Sequence, residues 1–170
     1  MKRRAVLALA GAAALAGCGD KPAAKASRNG PRLPWLPVTD LAGEPATLAP
    51  TSTAGRIVNF WALWCPPCRY ELPGLQRLAQ SLAPRRIEVT TIALEEDGFR
   101  VREYLAKHAA KLPSVLMHPG LPAVRDLGLD RLPQTFLLAA DGTVLSVWVG
   151  AREWDDAEVR AGIDRVMDAA

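Results

Sequence analysis

The sequence predicts an α/β domain, a central mixed β-sheet flanked by helices, and three patterns point to it. Runs of branched and aromatic residues alternate with amphipathic helical segments in strand-helix-strand-helix order, which implies a parallel sheet segment covered by helices. Two later strand runs are joined by Asp141-Gly142, a tight-hairpin signal that adds an antiparallel part. A final amphipathic segment supplies the closing helix. With 170 residues, 49% hydrophobic and 23% charged, the chain fits one domain and a short extra segment, with no room for a second domain.

The elements follow in order. From Gly19 to about Arg32 the chain is rich in Ala, Lys, Pro, Ser, Asn and Gly without apolar periodicity, so residues 18–32 are expected to form a flexible tether and residues 33–170 the domain. Pro34 to Val38 and Ala46 to Leu48 flank a turn signal at Ala42-Gly43-Glu44, the pattern of an N-terminal β-hairpin extension. Arg56 to Ala62 reads as a buried central strand. Leu72, Leu75, Leu78, Ala79 and Leu82 fall at helical spacing, predicting a helix over 66–82 that Pro73 should kink. A strand over 87–94, an acidic loop at Glu95-Glu96-Asp97-Gly98 and a helix over 99–109 come next. A short strand over 114–117, a small helix over 123–127, the hairpin strands 135–138 and 144–149, and a helix over 155–167 complete the pattern.

The N-terminus has the form of a targeting segment: Lys2, Arg3 and Arg4, an apolar stretch from Ala5 to about Ala16, then small residues around Cys18. The stretch is short of the roughly 20 apolar residues a membrane span needs. Leu15-Ala16-Gly17-Cys18 resembles a bacterial lipoprotein box, which implies a signal peptide over 1–17, lipid attachment at Cys18 and anchoring to a membrane outside the cytoplasm, on its periplasm-facing side. An ordinary secretory signal or an uncleaved anchor is the alternative. The three leading basic residues also supply the whole formal charge of +3, leaving 18 basic against 18 acidic residues. That balance excludes a nucleic-acid-binding face, which must neutralise phosphates.

Three cysteines in an exported chain leave an odd one, and lipidation would account for Cys18. Cys65 and Cys68 remain. A disulfide across three positions closes too small a loop to restrain the unfolded chain much, so the pair matters through its chemistry. Trp64-Cys65-Pro66-Pro67-Cys68 lies at a strand-to-helix junction, where unpaired N–H groups and the helix dipole stabilise a thiolate. Cys65 would capture a substrate disulfide and Cys68 would resolve the mixed disulfide. Pro66 and Pro67 suit a helix start, where missing N–H groups cost nothing. A zinc half-site would need His108 and His118, which lack ligand-like spacing, so no metal is expected.

Asn59-Phe60-Trp61-Ala62-Leu63-Trp64-Cys65-Pro66-Pro67-Cys68-Arg69 with Glu71-Leu72-Pro73, together with Leu132-Pro133-Gln134-Thr135-Phe136 before the Asp141-Gly142 turn, closely resembles the thioredoxin superfamily, and most of all its exported TlpA/ResA-like branch. The resemblance covers about 33–167. It implies a thioredoxin-like fold, a cis-proline at Pro133 facing the cysteines, a substrate groove bordered by Trp64 and Leu132, and a redox-active Cys65–Cys68 disulfide with no other cofactor. One departure stands out. Asn59 occupies the position of a buried aspartate in cytoplasmic thioredoxins, thought to help deprotonate the resolving cysteine, and asparagine cannot accept a proton near neutral pH. Glu95 or Glu96 is the replacement that the sequence suggests, against the plainer reading of a solvated acidic loop.

The expected activity is reduction of disulfides in exported proteins with electrons from a membrane-embedded thiol reductase. A dedicated reductant for cytochrome c or copper-site maturation is the runner-up; Gln134 stands where such proteins usually carry Glu. A metallochaperone holding Cu(I) between the two thiols is the alternative from another class.

Overall fold

The computed structural model describes residues 30–48 and 52–169. The expected signal peptide, Cys18 and most of the expected tether lie outside the described residues. Seven strands form one sheet in the order β2-β1-β5-β4-β3-β6-β7: β1 Leu36–Thr39, β2 Pro45–Leu48, β3 Gly55–Trp61, β4 Ile87–Ala93, β5 Ser114–Leu116, β6 Gln134–Ala139 and β7 Val144–Val149. The helices are α1 Pro66–Leu82, α2 Gly98–His108, α3 Pro122–Asp126 and α4 Ala157–Asp168. β3, β4 and β5 run parallel, whereas β6 pairs antiparallel with β3 and β7 antiparallel with β6. The sheet is therefore mixed, as the sequence predicts, and the fold is thioredoxin-like.

Alternation along the strands divides the core. On one face Ile57, Trp61, Val89 and Leu137 pack against Leu72, Leu75 and Leu78 of α1, Val101 and Leu105 of α2, and Ile163 and Val166 of α4. On the other, Val58, Phe60, Ile92, Phe136 and Leu138 meet Leu36 and Val38 of the N-terminal hairpin, Met117 and Leu129, with α3 at their margin. Strand residues one apart point to opposite faces. Asn59 therefore shares the α1 face with Ile57 and Trp61, although it is polar and fully buried.

Contacts to the domain begin slightly ahead of residue 33. The Pro31 carbonyl accepts from Val144 N–H, and Leu33 N–H donates to Gly142 O at 2.9 Å. Arg32 bridges to Thr143, so the chain enters along the β6–β7 hairpin. The N-terminal hairpin itself pairs Leu36 to Leu48 across β1 and β2, with β1 meeting β5 at Thr39 and Leu116. Pro73 sits inside α1, which continues through it from Pro66 to Leu82.

Candidate active site

Parallel strands deliver their C-terminal ends to one edge of the sheet, and β6, running the other way, delivers its start to the same edge. Gln134 at the start of β6 lies opposite Phe60 near the end of β3. Pro133 and the cysteines, four and seven residues beyond Trp61, are thereby brought to one end of the domain. The Leu132–Pro133 bond is cis. Leu132 is half-buried and touches both cores.

Cys65 and Cys68 are joined, with Cα atoms 5.3 Å apart. Cys65 is the N-cap of α1: its backbone is extended, and its Sγ accepts the Cys68 N–H at 3.3 Å. An N-cap acceptor satisfies one of the four unpaired donors at a helix start. In the reduced protein the same donor and the helix dipole would favour a thiolate there. Pro66 and Pro67 occupy the first two helical positions. Cys65 is 4% exposed and Cys68 fully buried, so attack from outside can begin only at Cys65. Trp64 beside it is 70% exposed, an apolar ring left in water next to the reacting sulfur.

The carboxylate that meets Asn59 is Glu71, on α1, and not Glu95 or Glu96. The Asn59 side-chain amide donates to Glu71 Oε1 at 2.8 Å and to Thr135 Oγ1 at 2.9 Å. Glu71 Oε2 accepts the Arg152 backbone N–H and the Trp154 indole N–H, each at 3.0 Å. Burial pushes the Glu71 carboxyl from its ordinary 4.5 up to about 7, against the lowering pull of those three donors and of the Arg152 charge. Glu71 is one helical turn beyond Cys68, on the same buried face.

Glu95 and Glu96 have other work: they follow β4 in the loop that leads to α2, and their side chains engage groups other than Asn59. Glu95 Oε1 accepts the Leu63 N–H at 2.7 Å and pins the turn leading into Trp64 and Cys65. Glu96 pairs with His118 at 3.0 Å in a mostly exposed position. His118 Nδ1 accepts the Gly120 N–H, leaving Nε2 to face Glu96. His108, the other histidine, is exposed and stacks on Tyr104 with ring centres 4.4 Å apart.

Glu71 was within reach of sequence reasoning. It falls at i+3 from Cys68 and directly before Leu72, so it lies on the apolar face of α1, where a lone acid marks a buried charge. Trp154, a second member of the site, sits 83 residues away in sequence, and no local pattern links it to Glu71.

The Redoxin family matches residues 21–163. The chain belongs to the Redoxin family. Among its relatives, the thiol-disulfide oxidoreductase ResA of Bacillus anthracis is 28% identical over 129 residues, 76% of this chain and 74% of that protein. The thioredoxin-like protein YneN of Bacillus subtilis (strain 168) is 25% identical over 139 residues, 81% of each chain. The crystal structure of a thiol:disulfide interchange protein from Chlorobium tepidum TLS superposes with a TM-score of 0.66 at 29% identity, covering 85% of this chain and 99% of that one. With its thioredoxin-like fold and its Cys65–Cys68 pair, this Redoxin-family chain is a protein-disulfide oxidoreductase of the thioredoxin superfamily.

Proposed function

We propose that the protein works outside the cytoplasm, tethered to a membrane through acylated Cys18, as a reductant of disulfides in exported proteins. The observation that carries the chemistry is Cys65 as the N-cap of α1, its sulfur bonded to the Cys68 N–H and only this cysteine of the pair touching solvent. In the reduced protein the Cys65 thiolate attacks a substrate disulfide, forming a mixed disulfide and releasing one substrate thiolate. Glu71 accepts the Cys68 proton, and the Cys68 thiolate then attacks Cys65 Sγ. The second substrate thiolate leaves, Cys65 and Cys68 are joined, and two electrons have passed to the substrate. A membrane-embedded thiol reductase restores the dithiol.

An acid raised to about 7 suits this role, because proton transfer near neutral pH needs an acceptor that gains and loses its proton there. The cis-proline loop at Leu132-Pro133 and the exposed Trp64 would hold the substrate, with the backbone before Pro133 pairing with an extended segment. Export rests on the basic, apolar and small-residue succession before Cys18 and on the odd cysteine that lipidation explains. Among the described residues no helix is long and apolar enough to cross a membrane. Reduction of haem-binding cysteines or of a copper site would be narrower forms of the same exchange.

Two experiments test this reading. A Cys68→Ser variant expressed in a bacterial host should accumulate mixed disulfides with exported proteins through Cys65, and none in a Cys65→Ser, Cys68→Ser variant. Labelled palmitate should enter the wild-type chain and not Cys18→Ser. Mixed disulfides confined to cytoplasmic proteins, or unlabelled wild-type protein, would contradict it.

A further inference from the structure

Two elements hold Glu71 against α1: Asn59 from β3, and residues 150–154 beyond β7. The second spans the whole site. Gly150, at φ +92, donates its N–H to the Pro133 carbonyl at 2.8 Å. Two residues on, the Arg152 N–H reaches Glu71 Oε2, and two further on the Trp154 indole reaches the same oxygen.

Trp154 is held from several directions. It is 1% exposed. A Cβ at Gly74 of α1 would stand 3.3 Å from the Trp154 Cβ, so the glycine lets the indole lie directly on the helix that carries Glu71 and both cysteines. Arg160 Nε donates to the Trp154 carbonyl at 2.7 Å. The ring stacks on Trp148 at 6.1 Å with planes 13° apart, and the Arg152 guanidinium lies 4.7 Å over the other tryptophan. Buried, clamped on the backbone and braced on two sides, the indole has one polar atom, and it points at Glu71. A donor held in this way favours the charged form of the acid it faces.

We propose that Trp154 is a positioning residue for thiol exchange: its fixed indole N–H orients the Glu71 carboxylate and sets the pH at which Glu71 takes up the Cys68 proton. This inference rests on the proton-acceptor role of Glu71 given above. The groups facing that carboxylate are the amide of Asn59 from β3 and the Arg152 backbone N–H and charge and the Trp154 indole from the segment after β7, while Cys68 lies one turn earlier among the buried residues of its own helix. Glu153 lies between Arg152 and Trp154 and is engaged by the Tyr70 hydroxyl.

The test follows the indole and the carboxyl by NMR in the reduced protein as pH is varied. In the wild type the Trp154 indole N–H resonance should shift with the same midpoint as the Glu71 carboxyl carbon, and the shift should vanish in Glu71→Gln. Trp154→Phe keeps an aromatic ring against Gly74 and Trp148 but removes the donor. It should raise the Glu71 midpoint by about one pH unit or more, as loss of a hydrogen bond to a charged group implies, and move the pH profile of thiol exchange by the same amount. Arg152→Met retains the backbone N–H and should give a smaller rise. An indole resonance that ignores the Glu71 titration overturns the proposal, and this measurement needs only wild-type protein if Trp154→Phe fails to fold. So does a folded Trp154→Phe with an unchanged midpoint. A Glu71→Gln variant with an unaltered exchange profile would instead remove the proton-acceptor role beneath the inference, a failure distinguishable from that of Trp154.

Discussion

Two acidic stretches flank the redox pair, and they behave oppositely. Glu71 is buried on α1, takes three hydrogen bonds and is pushed up to about 7. Glu95 and Glu96, in the loop after β4, are half-buried and exposed; one holds the turn before Trp64 and the other pairs with His118. Similar carboxyl groups at one end of a sheet thus divide into a buried acid, which we propose as the proton acceptor, and two that hold loop contacts. Burial decides the behaviour of Glu71: an acid denied solvation holds its proton to higher pH.

The comparison can be broken at several points, from the largest effect downward. Cys65→Ser should reduce disulfide exchange on the order of a thousandfold or more in an insulin-reduction assay, because the attacking sulfur is gone. Glu71→Gln should change the pH dependence of stability. The unfolded carboxyl ionises near its ordinary 4.5 and the folded one near 7. Between these values the folded chain binds more proton than the unfolded one. Stability from this group is therefore full below about pH 4.5 and is lost as pH rises through about 7, by at most roughly 3 kcal/mol. Urea unfolding of the oxidised protein at pH 4.5 and 8 should show that fall in the wild type and a flatter response in Glu71→Gln. An equal slope in both would dissolve the contrast between the two acidic stretches.

Glu95→Ala should cost about 1–2 kcal/mol by removing the acceptor of the Leu63 N–H, and it should leave the pH profile of exchange in place. A moved profile would return Glu95 to the proton path. Glu96→Gln should change stability by less than about 0.5 kcal/mol, since it breaks an exposed pair. Thermal melts read both.

Most of the fold was legible because periodicity and turn chemistry are local. Leu72, Leu75, Leu78 and Leu82 marked α1, and Asp141-Gly142 marked the β6–β7 hairpin, where Gly142 adopts φ +85. The cysteine pair and Pro133 stood out for the same reason, as compact motifs at strand ends. Glu71 shows where such reading fails. Its pattern on α1 was visible, but its function depends on Asn59, Arg152 and Trp154, brought from 12, 81 and 83 residues away. Position just after a strand end favoured Glu95 and Glu96, whereas the acid that meets Asn59 is carried by α1, three residues beyond Cys68.

The most direct measurement is the reduction potential of the Cys65–Cys68 pair in dithiothreitol and glutathione buffers, read by tryptophan fluorescence with Cys65→Ser and Cys68→Ser as controls. A reversible two-electron transition well below the glutathione couple is expected of a reductant fed from a membrane. A potential near the strongly oxidising end, or no reversible transition at all, would contradict it.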